Sequence, residues 1–166
     1  MANVWFISDI HGGHKNLVRW RPFETEEAHF NLVKENYHRV VTKRDHVYFL
    51  GDIAFNEERL WDISGWAGEK KILVVGNHDT EHLHMRDLAN AFDEVHSLIK
   101  YKEFWLSHAP VHSDELRGKV NIHGHCHNHI IEDNRYMNVC LEHTNYFPIS
   151  LCKIREGING RKTERR

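Results

Sequence analysis

The chain has 166 residues, 40% of them hydrophobic, and a formal net charge of −2. That length suits one domain with a real core, the composition excludes a disordered chain, and the charge argues against binding nucleic acid through a broad basic surface. No apolar run reaches the length of a membrane span, the N-terminal Met1-Ala2-Asn3-Val4-Trp5 has no signal-peptide pattern, and Cys126, Cys140 and Cys152 fit reduced thiols better than a disulfide framework, so a cytoplasmic protein without membrane association is expected.

In chain order, residues 4–7 read as a first strand. Thr25, followed by Glu26 and Glu27, is an N-cap for a helix to about Val41, with Ala28, Leu32, Tyr37 and Val40 as its apolar stripe. Residues 46–50 form a second strand, a short helix carries Leu60, Trp61 and Trp66, and residues 72–75 form a third strand. Thr80 caps another helix that turns Leu83, Leu88 and Phe92 inward. Five short strands follow, at 95–99, 104–106, 120–122, 136–141 and 149–154, separated by turn residues such as Asp133-Asn134 and Pro148. An α/β first half thus leads into a β-rich second half. Residues 1–155 are expected as one domain and residues 156–166, polar and basic with Gly157 and Gly160, as a loose tail.

Four polar clusters stand where apolar runs end: Asp9-Ile10-His11, Gly51-Asp52, Gly76-Asn77-His78-Asp79 and Gly124-His125-Cys126-His127, with His108 alone between the last two. In α/β folds the ends of strands are where sites assemble. Asp9 and His11 lie two residues apart, so an extended backbone points both the same way and lets them share an ion. Taken alone, D-x-H also fits a capping Asp beside a surface His, and Gly51-Asp52 is ordinary turn chemistry. Asp52 differs from the imidazoles in that its two oxygens can bridge two cations. In the third cluster, Gly76 frees the chain to turn off its strand, the Asn77 carbonyl can ligate a hard or borderline cation, His78 can face a substrate, and Asp79 is near enough to orient it. A turn whose Asn and Asp bond their own backbone explains the same residues equally well. The histidine-rich stretch 123–129 places His125 and His127 directly after Gly124, with Cys126 pointing away as a small packed residue, and a zinc finger does not fit because there is no second close cysteine pair.

The order of these five blocks resembles the calcineurin-like metallophosphoesterases. Asp9 and His11 match the D-x-H block, Gly51-Asp52 the G-D block, Gly76 to Asp79 the G-N-H-D block, His108 the lone histidine, and Gly124 to His127 the G-H-x-H block. The blocks span residues 9–127. One departure is that Ile53-Ala54 follow Gly51-Asp52 where a second polar residue is usual. The flanking Arg21-Pro22-Phe23 and the 145–151 stretch resemble a compact subgroup of bacteria and their phages.

The resemblance implies an α/β fold, a four-layer α-β-β-α sandwich of two sheets flanked by helices, around a binuclear metal centre. One divalent ion would take Asp9, His11 and His127, the other Asn77, His108 and His125, with Asp52 between them. Manganese is the favoured metal by family analogy, and the imidazole and oxygen donors also suit Fe, Zn, Co or Ni. Catalytic roles fall to His78, as charge stabiliser or acid, and to Asp79 beside it. The reaction implied is phosphoester hydrolysis by a hydroxide bridging two ions about 3.5–4 Å apart. The chain has no spare segment for a cap domain, so a shallow, open site is expected. The partner is a small phosphoester or nucleotide, with a nucleotide or cyclic-nucleotide phosphodiester favoured. The alternatives are a nuclease on DNA or RNA, a protein phosphatase, and a non-catalytic metal-binding scaffold. Lys15, Arg19, Trp20, Arg21 and Arg117 near the blocks are each expected on a solvated face.

Overall fold

The structure is a computed structural model that describes residues 2–163, with side chains through Gly160. Among the described residues nine strands form two sheets. In the first, β1 (Val4–Ile7), β2 (His46–Phe49), β3 (Lys70–Val74) and β4 (Glu94–His96) run parallel in the order β4-β3-β2-β1, and β9 (Ile149–Ser150) adds antiparallel to β1. The second has the order β5-β6-β7-β8, made of β5 (Ile99–Tyr101), β6 (Phe104–Ser107), β7 (Val120–His123) and β8 (Tyr136–Asn138). Its first pair is antiparallel and the other two are parallel.

Period-two alternation divides the core in two. Ile7, Val47, Phe49 and Leu73 face one way and pack with Phe30, Val33, Tyr37, Leu60, Ile63, Leu88 and Phe92. These come from, or follow, α1 (Glu26–Val40), α2 (Glu57–Ser64) and α4 (Met85–Ala91). Phe6, Leu50 and Val74 face the other way and meet Phe104, Leu106 and Ile122 of the second sheet. A sheet buried on both faces is the usual place for parallel strands, and it explains their near-continuous apolar sequences. On the outer face of the second sheet the cover is the 109–119 segment rather than an α-helix. Asn121 accepts from the Val111 amide, and Trp105 Nε1 donates to the Leu116 carbonyl. The sandwich flanked by helices is thus as expected, with a loop for its fourth layer.

Several elements differ from the sequence reading. Thr25 does cap α1, accepting from the Ala28 amide at 3.0 Å, but the inward face is His29, Phe30, Val33, Asn36 and Tyr37. Ala28 is exposed, on the opposite side of the helix from Phe30. The predicted 95–99 strand splits into β4 and β5, which belong to different sheets. The helix expected from Thr80 is two pieces, α3 (Asp79–His82) and α4, although Leu83, Leu88 and Phe92 are buried as expected. Strand β9 stops at Ser150, and α5 (Leu151–Thr163) takes over. Residues 156–163 are therefore helical and not a loose tail, and 164–166 lie outside the described residues. Ile154 and Ile158, one turn apart, are buried against the inter-sheet core. Such packing, more than propensity, holds a helix that contains Gly157 and Gly160.

Candidate metal centre

The polar blocks converge at the carboxyl ends of the central strands. Asp9 and His11 follow β1, Asp52 follows β2, Asn77 and His78 follow β3, His108 follows β6, and His125 and His127 follow β7. Backbone bonds tie these loops together: the Asp9 amide donates to Gly51, the His11 amide to Asp52, and the Gly124 amide to His108. Nine non-glycine residues among those described have positive φ, and five are Asp9 (57°), His11 (54°), Asp52 (51°), His125 (66°) and His127 (44°). Such conformations persist where the surroundings over-determine them, and they gather at functional sites. Asp9 and His11 therefore converge through two left-handed turns and not through an extended backbone. Three glycines of the blocks are sterically required, Gly51 among them, with φ +83° and the Gly76 backbone 2.7 Å from where a Cβ would stand. A Cβ on Gly76 would collide with the Asp52 carboxylate, and one on Gly124 with Ser8 Oγ and Asp9 Oδ2.

Two groups of candidate donor atoms result: Asp9, His11 and His127, and Asp52, His108 and His125. In the first, His11 Nε2 is 3.6 Å from Asp9 Oδ1, and His127 Nε2 is 4.0 Å from the same oxygen. In the second, His108 Nε2 is 3.2 Å from Asp52 Oδ2 and His125 Nδ1 is 3.2 Å from His108 Nε2. Asn77 joins this group, with Oδ1 3.1 Å from His108 Nε2. Asp52 Oδ2 is also 3.9 Å from His11 Nε2, so one carboxylate oxygen lies between the groups.

The donor atoms fit cations. Asp9 Oδ2 is taken up by the fold, accepting from Ser8 Oγ, the His125 amide and Cys140 Sγ. Asp9 Oδ1 and both His11 ring nitrogens are buried without a hydrogen-bond partner. Buried polar atoms are rarely left so, and an ion between Asp9 Oδ1 and His11 Nε2 would complete those two. Two imidazoles are also set to offer Nε2. His108 Nδ1 donates to the Leu50 carbonyl at 2.8 Å, and His127 Nδ1 donates to Glu142 Oε1 at 3.0 Å. A carbonyl or carboxylate on the far nitrogen is the usual support for a ligating histidine.

Electrostatics agree. Burial works against the charged form of Asp9, but His11 at 3.6 Å and the charge on His108 hold its carboxyl far below the usual range. Burial also works against charge on His108, yet Asp52 and Asp9 push it up to about 9. Burial pushes His11 down. Asp9 and Asp52 thus favour their ionised forms and a positive charge beside them.

The structure gives Asp79 a different task from orienting His78. Its carboxylate, pushed up to about 6 by burial, accepts from the backbone amides of Asp52, Ile53 and Gly76. It braces the two loops that carry Asp52 and Asn77. The carboxylate beside His78 is Glu81, with Oε2 2.6 Å from Nδ1. His78 is half-buried at the rim, its ring centroid 5.9 Å from that of His11. His123, on the other side of Gly124 from His125 and His127, is buried with its Nδ1 bonded to the Gly124 carbonyl.

Sequence reasoning missed the support beneath the first group. Arg21, expected on a solvated face, is 2% exposed. Its guanidinium donates to the Asp9 carbonyl (2.7 Å), Glu142 Oε1 (2.9 Å) and His29 Nε2 (2.9 Å). Burial and the nearby Arg21 charge push His29 down to about 3, so it accepts as the neutral ring. Burial opposes ionisation of Glu142, but His127 and Arg21 hold it down to about 2. No spacing in the sequence links Arg21 to Glu142. Ile53 and Ala54, the departure in the G-D block, are fully buried under the helices.

One side of the centre is open. Asn77 and His125 are exposed, and Trp20, 43% exposed, lies 6.5 Å from the His127 ring and 5.2 Å from that of His14. Among the described residues no helix is long and apolar enough to cross a membrane, and the three cysteines are free.

Known proteins are similar to the chain along most of its length. The family description that matches, over residues 2–149, is calcineurin-like phosphoesterase. An uncharacterized protein of Methanocaldococcus jannaschii is 33% identical, with 91% of this chain and 88% of that protein covered. The gene 66 protein of Mycobacterium phage L5 is 32% identical over 79% of this chain and 80% of its own. The crystal structure of a protein of unknown function from Aquifex aeolicus superposes with a TM-score of 0.75 at 27% identity, covering 94% of this chain and 99% of that one.

Proposed function

This chain belongs to the calcineurin-like phosphoesterase family, and from that premise we propose that it is a binuclear, manganese-preferring phosphodiesterase acting on nucleotide or cyclic-nucleotide esters. The observation that carries the two-ion reading is the place of Asp52 Oδ2, 3.2 Å from His108 and 3.9 Å from His11, between two donor groups. Asp9, His11 and His127 would hold one ion, and Asn77, His108 and His125 the other, with Asp52 shared. When bound, such a pair supplies Lewis acidity toward a phosphate and a water acidic enough to attack near neutral pH. The protein does the rest. Arg21 and Glu142 fix the first group from below, and Asp79 fixes the loops of the second. His78, at the rim and outside both groups, is placed to stabilise charge on the phosphate or protonate the leaving oxygen. An open mouth bordered by Trp20 and His14 suits a diester with an aromatic base better than a deeply enclosed monoester.

The expected outcome is hydrolysis of aryl phosphodiesters that is strongest with manganese, abolished by chelation and restored by metal. Absence of phosphoester hydrolysis across Mn, Fe, Co, Ni and Zn would instead make the chain a metal-binding scaffold. Cyclic nucleotides, dinucleotides, single-stranded nucleic acid and monoesters assayed side by side identify the substrate class, and a preference for polynucleotides would make it a nuclease. His78→Ala should keep both ions while turnover falls on the order of 10²–10⁴-fold. Loss of an ion in that variant, measured by metal content, would place His78 among the ligands.

A further inference from the structure

His78 takes helical backbone angles (φ −77°, ψ −22°) directly before α3, so it and His82 stand one helical turn apart. Residues at i and i+4 lie over the same side of a helix. Their rings lie nearly parallel, 26° apart with centroids at 6.4 Å, and Glu81 Oε2 is 2.6 Å from His78 Nδ1. One ligating atom from each of His78, Glu81 and His82 falls within 4.8 Å of the other two. Phe55 packs on both rings, at 5.2 Å from His78 and 4.5 Å from His82, and steadies the pair. Two imidazoles and a carboxylate without a thiolate form a donor set for a borderline dication such as zinc.

We propose that this turn is a third, inhibitory cation site, at which excess zinc captures His78. The regulatory part rests on the proposed function, in which His78 works on the substrate. An imidazole committed to a cation beside Glu81 and His82 is no longer free to turn toward a leaving oxygen. The third site fills after the other two for two reasons. Its ligands are more exposed, with the Glu81 side chain 57% accessible. A third cation is also repelled by any ion held at His11, whose ring is 5.9 Å from that of His78. The same metal would then activate when scarce and inhibit when abundant.

Zinc titration of the full chain, read by equilibrium dialysis and by activity, tests this. The wild type should take up a third equivalent, weaker than the first two, and its activity should fall as that equivalent binds. His82→Ala lies outside the proposed reaction machinery and should keep the first two equivalents and the basal rate. It should lose at least about tenfold in affinity for the third, and with it the falling limb. His82→Gln should behave in the same way and guards against a folding defect in the alanine variant. A third equivalent bound equally well by both variants, or inhibition unchanged in them, would overturn the proposal. Were the chain inactive on every phosphoester, the proposed function would fall, while dialysis would still decide whether the third site exists.

Discussion

At Asp52 the two carboxylate oxygens have separate duties. Oδ1 accepts the His78 amide at 2.9 Å, which ties the β2 and β3 loops, while Oδ2 faces both His11 and His108. Neutralising this side chain should therefore differ from removing a terminal donor such as His108. Asp52→Asn keeps the shape but removes the negative charge that would offset repulsion between two dications about 3.5–4 Å apart. Metal content measured after dialysis should fall below about one ion per chain, with activity near background. Retention of two ions and substantial turnover would reduce Asp52 to a turn residue.

At the scale of an element, the turn that enters β2 depends on one carboxylate. Asp45 is 1% exposed and accepts from the Asn3 and Thr42 amides, Thr42 Oγ1 and Trp5 Nε1 at 2.7–3.3 Å. It fastens the start of β2 to the start of β1, and so sets the register that brings Asp9 and Asp52 out at the same edge. Burial opposes its charge, but the Thr42 and Asn3 amides outweigh that and lower its pKa below the ordinary value of 3.8. A depressed folded-state pKa means that the stabilisation is present above the unfolded value and is lost as pH falls through the folded one. Asp45→Ala should cost about 1–3 kcal/mol at neutral pH in a denaturant titration. The gap between wild type and variant should narrow once pH drops below about 4. A gap that is constant with pH would mean that the charge on Asp45 contributes nothing to the turn.

At the scale of the whole molecule, Arg21 and Glu142 lie 121 residues apart in sequence and join to hold one donor group. Glu142→Gln keeps the side-chain volume but removes the charge that faces both Arg21 and His127 Nδ1. Support of this kind typically changes metal affinity by about 10–100-fold. The variant should lose that much at the Asp9, His11 and His127 group, with the Asn77, His108 and His125 group little changed, as read by two-site metal titration. Equal weakening of both sites would mean that Glu142 acts through general stability. Local signals brought much of this molecule into view. The apolar runs before each polar block appear as β1, β2, β3, β6 and β7, because a strand's side chains are set by its own alternation. The blocks at their ends converge because parallel strands deliver their carboxyl ends to one edge. The division of residues 95–101 between two sheets, the helix that replaces the expected tail, the Asp79 brace and the Arg21–Glu142 support could be read only from the tertiary structure. Each depends on partners brought together by folding, and burial gives a charged side chain its role only after distant segments have closed around it.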